Sequence, residues 1–216
     1  MMMTRREFQV GLLGLLGTAL APRVVGAQML VEGRDWRPLS PPQPSAEPER
    51  IEVLEFFSYG CSHCSQMNPL ITEWAEALPS DILFRRVPVT FGRGAWVALA
   101  RLFYALEFGG HLAQLDQAVF DAVTRQRMNL YTERNILKWI AEQGLDADAF
   151  AKVYNGFAVE MALRKAADLE RRMGIDAVPR IVVDGRYVVT GDGAAGHAGL
   201  IRIAEQLVEK ARVQRG

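Results

Sequence analysis

The only two cysteines of the chain stand three apart, in Cys61-Ser62-His63-Cys64. That spacing suits redox chemistry. In the first turn of a helix, residues i and i+3 lie close enough for their sulfurs to bond. A cysteine at the helix start also faces unpaired backbone N–H groups and the positive end of the helix dipole, which favour a thiolate. A thiolate stabilised in this way is a good leaving group in disulfide exchange. His63 can add a donor or a positive charge near the Cys61 sulfur, and Cys64, one turn in, would be the shielded, resolving thiol.

Competing readings of the pair are weaker. A structural zinc site needs two more ligands, and the other histidines, His111 and His197, are isolated from each other and from the pair. A passive disulfide across so short a loop adds little unfolded-state entropy. Two unrelated buried thiols would not explain the placement. Glu55 is a further candidate. Inside the apolar run Val53 to Phe57, a carboxylate on a central strand is costly unless neutral or partnered. Buried acids near reactive groups mark functional sites; the alternative is a side chain that faces water at an edge.

These residues need elements to hold them. Ile51 to Ser58 (IEVLEFFS) reads as a buried strand, a helix follows from about Ser62 to Leu78, and Ile82 to Val89 reads as a second strand. From Ala95 to about Met173 the spacing is helical, with breaks near Gly109-Gly110, Met128-Asn129 and Gly144-Leu145-Asp146, enough for four or five helices. Arg180 to Val183 and Tyr187 to Thr190 flank Asp184-Gly185, a hairpin signal, and a helix from about Ala198 to Arg212 closes the chain. Ahead of all this, residues 28–50 carry five prolines, which suits an extended lead-in, with Val31 to Arg37 a possible edge strand. The expected organisation is an α/β domain, residues 51–94 and 174–216, interrupted by an all-helical insertion, residues 95–173.

Residues 1–27 read as a cleavable export signal. Arg5 and Arg6 precede a short apolar run, Val10 to Leu20, and Val25-Gly26-Ala27 ends in the small residue a signal peptidase requires. Thr4-Arg5-Arg6-Glu7-Phe8 is similar to a twin-arginine signal, so Sec and twin-arginine routes both stay open. Disulfides persist outside the reducing cytosol, which fits the cysteine chemistry. Composition excludes other classes. The 25 basic and 25 acidic residues balance, leaving no basic face for nucleic acid, and 50% apolar residues with 23% charged ones suit neither a disordered chain nor a polytopic membrane protein. No metal, flavin or nucleotide site is visible, and no cofactor is expected.

The segment from Val53 to Cys64, VLEFFSYGCSHC, resembles the active-site strand and helix start of bacterial DsbA-type thiol:disulfide oxidoreductases. Ala177-Val178-Pro179, followed by Ile181 to Tyr187, is similar to that family's cis-proline loop and hairpin, and the helical block matches its insertion into a thioredoxin fold. The resemblance implies that Cys61 forms mixed disulfides and Cys64 is its buried partner. Glu55 would relay the Cys64 proton, and Pro179 would face the pair, with Val178 offering backbone hydrogen bonds to a bound peptide. Read without the family, Pro179 is an ordinary trans proline that starts a strand, which the X-Pro base rate favours; the resemblance and the place before a hairpin make it cis. Three positions depart from the family: Ser62 stands where Pro is common, Gly60 where a bulky residue is frequent, and Arg180 where small residues follow the cis-proline. Arg180 could place a cation beside the site or point to solvent.

The expected function is a periplasmic dithiol oxidase, a monomer, that passes its disulfide to thiols of folding exported proteins and is reoxidised by a quinone-linked membrane partner of the DsbB type. A reductase or isomerase, and a chaperone with a vestigial disulfide, are the alternatives. Trp74, Trp96 and Trp139 are expected in the core, Trp36 over an edge, His197 at the surface or as a cap, and Arg171-Arg172 on a solvated helix face.

Overall fold

Five strands, β1 (Trp36–Pro38), β2 (Ile51–Phe57), β3 (Ile82–Pro88), β4 (Arg180–Val183) and β5 (Tyr187–Val189), form one sheet in the order β1-β5-β4-β2-β3. These and the other elements come from a computed structural model that describes residues 29–191 and 193–215; the expected signal segment, residues 1–27, lies outside them. β2 and β3 run parallel, while β4 and β5 add on antiparallel and β1 closes the far edge. All seven residues of β2 are buried, as its near-continuous apolar run requires of a strand covered on both faces.

Helix α1 (Ser62–Glu76) connects the parallel pair. Between β3 and β4 come α2 (Gly94–Phe108), α3 (Leu112–Phe120), a π-helical turn (Asp121–Arg125), α4 (Glu133–Glu142), α5 (Ala147–Tyr154) and α6 (Phe157–Arg172), and α7 (Gly196–Arg215) ends the chain. Local chemistry starts several of these helices. The Thr132 hydroxyl accepts from the backbone N–H of Asn135, and the Asp146 carboxylate accepts from those of Asp148 and Ala149. The helical block has five α-helices, within the expected four or five, with one break, at Asn155-Gly156, beyond the three expected.

The sheet separates two cores. On one side Ile51, Val53, Ile181 and Val183 pack with Met67 and Ile71 of α1 and with Ile203, Ala204 and Leu207 of α7. On the other, Leu54, Phe56 and Phe57 pack with Leu102, Phe103 and Phe120 of the helical block. The β4–β5 hairpin turns through Asp184 and Gly185, both in the left-handed region, with φ of 56° and 57°. A side chain at Gly185 would strike the Gln43 backbone, because the lead-in is fastened there: Gln43 N–H donates to the Gly185 carbonyl at 2.8 Å, and Leu39 N–H to that of Arg186 at 2.7 Å. The edge strand is Trp36–Pro38, slightly later than the Val31–Arg37 segment of the sequence reading, and its Trp36 is buried. Arg171 and Arg172 both pair with Asp168 on the exposed face of α6.

Candidate functional site

β2 delivers its chain into a tight turn, in which the Cys61 N–H donates to the Ser58 carbonyl at 3.0 Å and the Gly60 N–H to Ser58 Oγ at 3.1 Å. Cys61 is thereby the residue that caps α1, with its backbone still extended. Its Sγ takes the place a serine or aspartate oxygen would fill and accepts the backbone N–H of Cys64 at 3.2 Å. No acidic residue occupies the first turn of α1, so nothing there opposes a thiolate. Cys61 is half-buried and Cys64 fully buried, and both are free thiols.

The two thiols are pushed in opposite directions. Hydrogen bonding from the Cys64 side chain, then the backbone N–H groups of Cys64 and His63 and the charge of His63, hold Cys61 near pKa 6 against the opposing effect of burial, from an ordinary value of 9.0. Burial drives Cys64 far up, and the neighbouring Cys61 and Glu55 push it further. At neutral pH the reduced site therefore holds one thiolate, on the outer sulfur. That sulfur also faces the Val178 carbonyl at 3.6 Å, which joins the far end of the chain to the site, and the Val178–Pro179 peptide bond is cis.

His63 is exposed, and its ring lies 5.9 Å from that of His197 in the first turn of α7. This corrects the sequence reading that His197 is isolated from the pair: the side-by-side packing of α1 and α7 brings their first turns together. Burial and the nearby His63 lower the pKa of His197. Even so, no group of three or more His, Cys, Asp or Glu side chains among the described residues could hold a metal ion. Arg180 is mostly buried rather than turned to solvent. Its guanidinium donates to the carbonyls of Val189 and Thr190 and lies 3.5 Å from the Asp176 carboxylate, tying the start of β4 to the end of β5. Trp96, expected in the core, is instead half-buried against Gly60: a Cβ built on that glycine would sit 2.6 Å from Trp96 Nε1. The indole, flanked by Phe91 and by the Arg93 guanidinium 4.7 Å from its ring, occupies the space a bulky residue before Cys61 would need.

Glu55 is wholly buried, and it is not alone. The parallel register sets Arg86 of β3 directly opposite it, and Arg86 Nε donates to Glu55 Oε2 at 2.6 Å. Arg86 Nη1 donates to Asp116 Oδ2 of α3 at 2.8 Å, and the Tyr59 hydroxyl donates to Asp116 Oδ1 at 2.6 Å. The guanidinium lies 4.1 Å from the centre of the Phe57 ring. Sequence reasoning missed Arg86, Tyr59 and Asp116. A signal existed for Arg86, since two equal seven-residue strands in parallel align their fifth positions. None existed for Asp116, which arrives on a helix 61 positions after Glu55.

Known proteins resemble this chain in sequence and in fold. A family model described as a DSBA-like thioredoxin domain matches residues 52–200. The thiol:disulfide interchange protein DsbA of Azotobacter vinelandii is 39% identical over 180 residues, covering 83% of this chain and 84% of that relative. Its counterpart in Pseudomonas aeruginosa is 36% identical over the same length. A crystal structure of Pseudomonas aeruginosa DsbA superposes with a TM-score of 0.82 at 34% identity, over 86% of this chain and 96% of that one. Xylella fastidiosa DsbA gives a TM-score of 0.78 at 28% identity.

Proposed function

The chain belongs to the family of DsbA-like thioredoxin domains, a thioredoxin fold with an inserted helical domain, and from that premise we propose how its residues carry out disulfide transfer. It is a thiol:disulfide oxidoreductase with Cys61 and Cys64 as its redox pair. In the oxidised form the two sulfurs are bonded. A substrate thiolate attacks Cys61 Sγ, the Cys61–Cys64 bond breaks, and the bonding electrons leave on the Cys64 sulfur, which takes a proton from Glu55. The product is a mixed disulfide between substrate and Cys61. A second substrate thiolate attacks the substrate sulfur of that bond, and Cys61 leaves as a thiolate. The substrate has lost two electrons and formed a disulfide; the enzyme has gained them as one thiolate and one thiol.

The observation that carries the direction of transfer is the placement of Cys61 Sγ at the start of α1, with its pKa near 6. A stabilised thiolate makes the reduced enzyme the low-energy form, so the disulfide is readily given away. His63 assists through its backbone N–H and its charge. The Val178 backbone beside Cys61 and the adjoining Pro179 receive the substrate chain in an extended conformation. Arg180 supports that loop rather than the substrate, through its bonds to Val189 and Thr190.

Substrates are exported proteins with free thiols, the compartment is the periplasm, reached by cleavage after Ala27, and the enzyme works as a monomer. Its reoxidant is a quinone-linked membrane protein of the DsbB type that docks on the Cys61 face. Among the described residues no helix is long and apolar enough to cross a membrane. The test is the reduction potential of the mature domain, equilibrated against glutathione. A value well above the glutathione pool supports the oxidase; a value near that of thioredoxin, about −270 mV, makes the protein a reductase or isomerase instead. Cys61→Ser abolishes transfer, and so does Cys64→Ser, whose lone Cys61 thiolate instead attacks a disulfide of an oxidised substrate, releases one substrate thiol and, with no Cys64 to displace it, stays in a mixed disulfide seen as a shift on non-reducing gels.

A further inference from the structure

One buried cation serves two carboxylates. Arg86 reaches Glu55 through Nε and Asp116 through Nη1, and with both acids ionised the cluster carries a net negative charge inside the protein. A single proton relieves that charge at least cost. The geometry decides where the proton sits. Asp116 accepts two hydrogen bonds, from Arg86 and from the Tyr59 hydroxyl, and its side chain keeps 12% exposure along a cleft of about 790 Å³ between α1, β3 and α3. Glu55 accepts one, has no exposure, and its Oε1 finds no partner among the described residues. The two donors and the path to water are thus at Asp116, and the enclosed, half-partnered carboxyl is Glu55.

We propose that Asp116 is a positioning residue of the redox site: it takes the negative charge of the cluster and one arm of Arg86, and so leaves the cluster's proton on Glu55, ready for the departing Cys64 sulfur. This rests on the relay role of Glu55 proposed above. The groups that face Glu55 are Arg86 from β3, Asp116 from α3, Cys64 from α1 and Tyr59 from the turn after β2, with Glu107 of α2 acting on Arg86 from further off. Burial first, and then the Asp116 charge, raise the pKa of Glu55 against the pull of Arg86. In the exchange step the Glu55 O–H breaks, its proton goes to the Cys64 thiolate, and a carboxylate remains that Arg86 then stabilises. Asp116 changes no bond.

The experiment follows reduction of the oxidised protein by a small thiol, as a rate against pH at constant thiolate concentration. The wild type loses rate on an alkaline limb as Glu55 gives up its proton. Asp116→Asn keeps the shape and one acceptor oxygen, for the Tyr59 hydroxyl, but removes the competing charge and the acceptor for Arg86, so Arg86 turns wholly to Glu55 and the limb moves to lower pH by about one unit, near tenfold in rate on that limb. Asp116→Glu restores the limb. Tyr59→Phe, a milder variant should Asp116→Asn fold poorly, moves it the same way by less. A limb abolished in Glu55→Gln yet unmoved in Asp116→Asn and Tyr59→Phe overturns the inference and leaves Asp116 a packing residue. A limb that survives in Glu55→Gln overturns the relay role and the inference together.

Discussion

Gly60 shows how one missing side chain is used. Trp96 fills the volume that a larger residue before Cys61 would take, and its indole is confined between Phe91 and Arg93. Gly60→Ala therefore overpacks the turn and destabilises the protein by about 1–3 kcal/mol in urea unfolding; adding Trp96→Ala in the same chain recovers part of that loss, which a double-mutant cycle measures. The cysteines themselves give a second test at this scale. Alkylation of the reduced protein should report a single titrating thiol with a midpoint near 6, on Cys61, while Cys64 stays unlabelled until the chain unfolds. A midpoint near the ordinary value of 9.0 removes the basis for an oxidising pair.

The strands and helices decide which residues meet, and this is where sequence and structure part. The strand before Cys61, the helix that starts on it, the hairpin at Asp184-Gly185 and the helical block were all legible, because each rests on a local period or turn signal within a few residues. Long-range company was not. Arg86 meets Glu55 through strand register, Asp116 meets Arg86 through the docking of α3, and His197 meets His63 because α1 and α7 pack side by side. The direction of Arg180 likewise depends on the carbonyls of Val189, which ends β5, and Thr190 just after it, nine and ten positions further on. Arg86 is the ionic tie from the sheet to α3 of the insertion. Arg86→Met leaves two buried carboxylates without a cation and costs about 3–5 kcal/mol near neutral pH. The sign with pH follows from Glu55, whose pKa is already raised and rises further without Arg86. The folded variant holds that proton more tightly than the unfolded chain, so its stability is greatest at low pH and is lost as pH rises. Urea midpoints at pH 5 and pH 8 should diverge from wild type, with the larger deficit at pH 8; a pH-independent deficit would mean that the carboxylates are already compensated.

Across the whole molecule, redox state and stability are linked through one thiol. The Cys61 pKa is lowered in the fold, so its contribution to the reduced form is complete above about 9 and drains away as pH falls through about 6. The oxidised form has no such group. Reduced protein should therefore unfold at higher denaturant than oxidised protein at pH 9, with the gap closing toward pH 5; a constant gap would place the redox driving force elsewhere. The site also has an order in time. Cys61 and the Val178 carbonyl that faces its sulfur are 117 residues apart. A ribosome adds about 5–20 residues per second, so both cysteines exist for on the order of 10 s before the residues that will shelter them have been made. During that interval the pair lacks the Val178 backbone that faces it in the finished fold. The active site is thus assembled last although its cysteines are made early, and the sulfur meets its Val178 contact only after the C-terminal hairpin has been made.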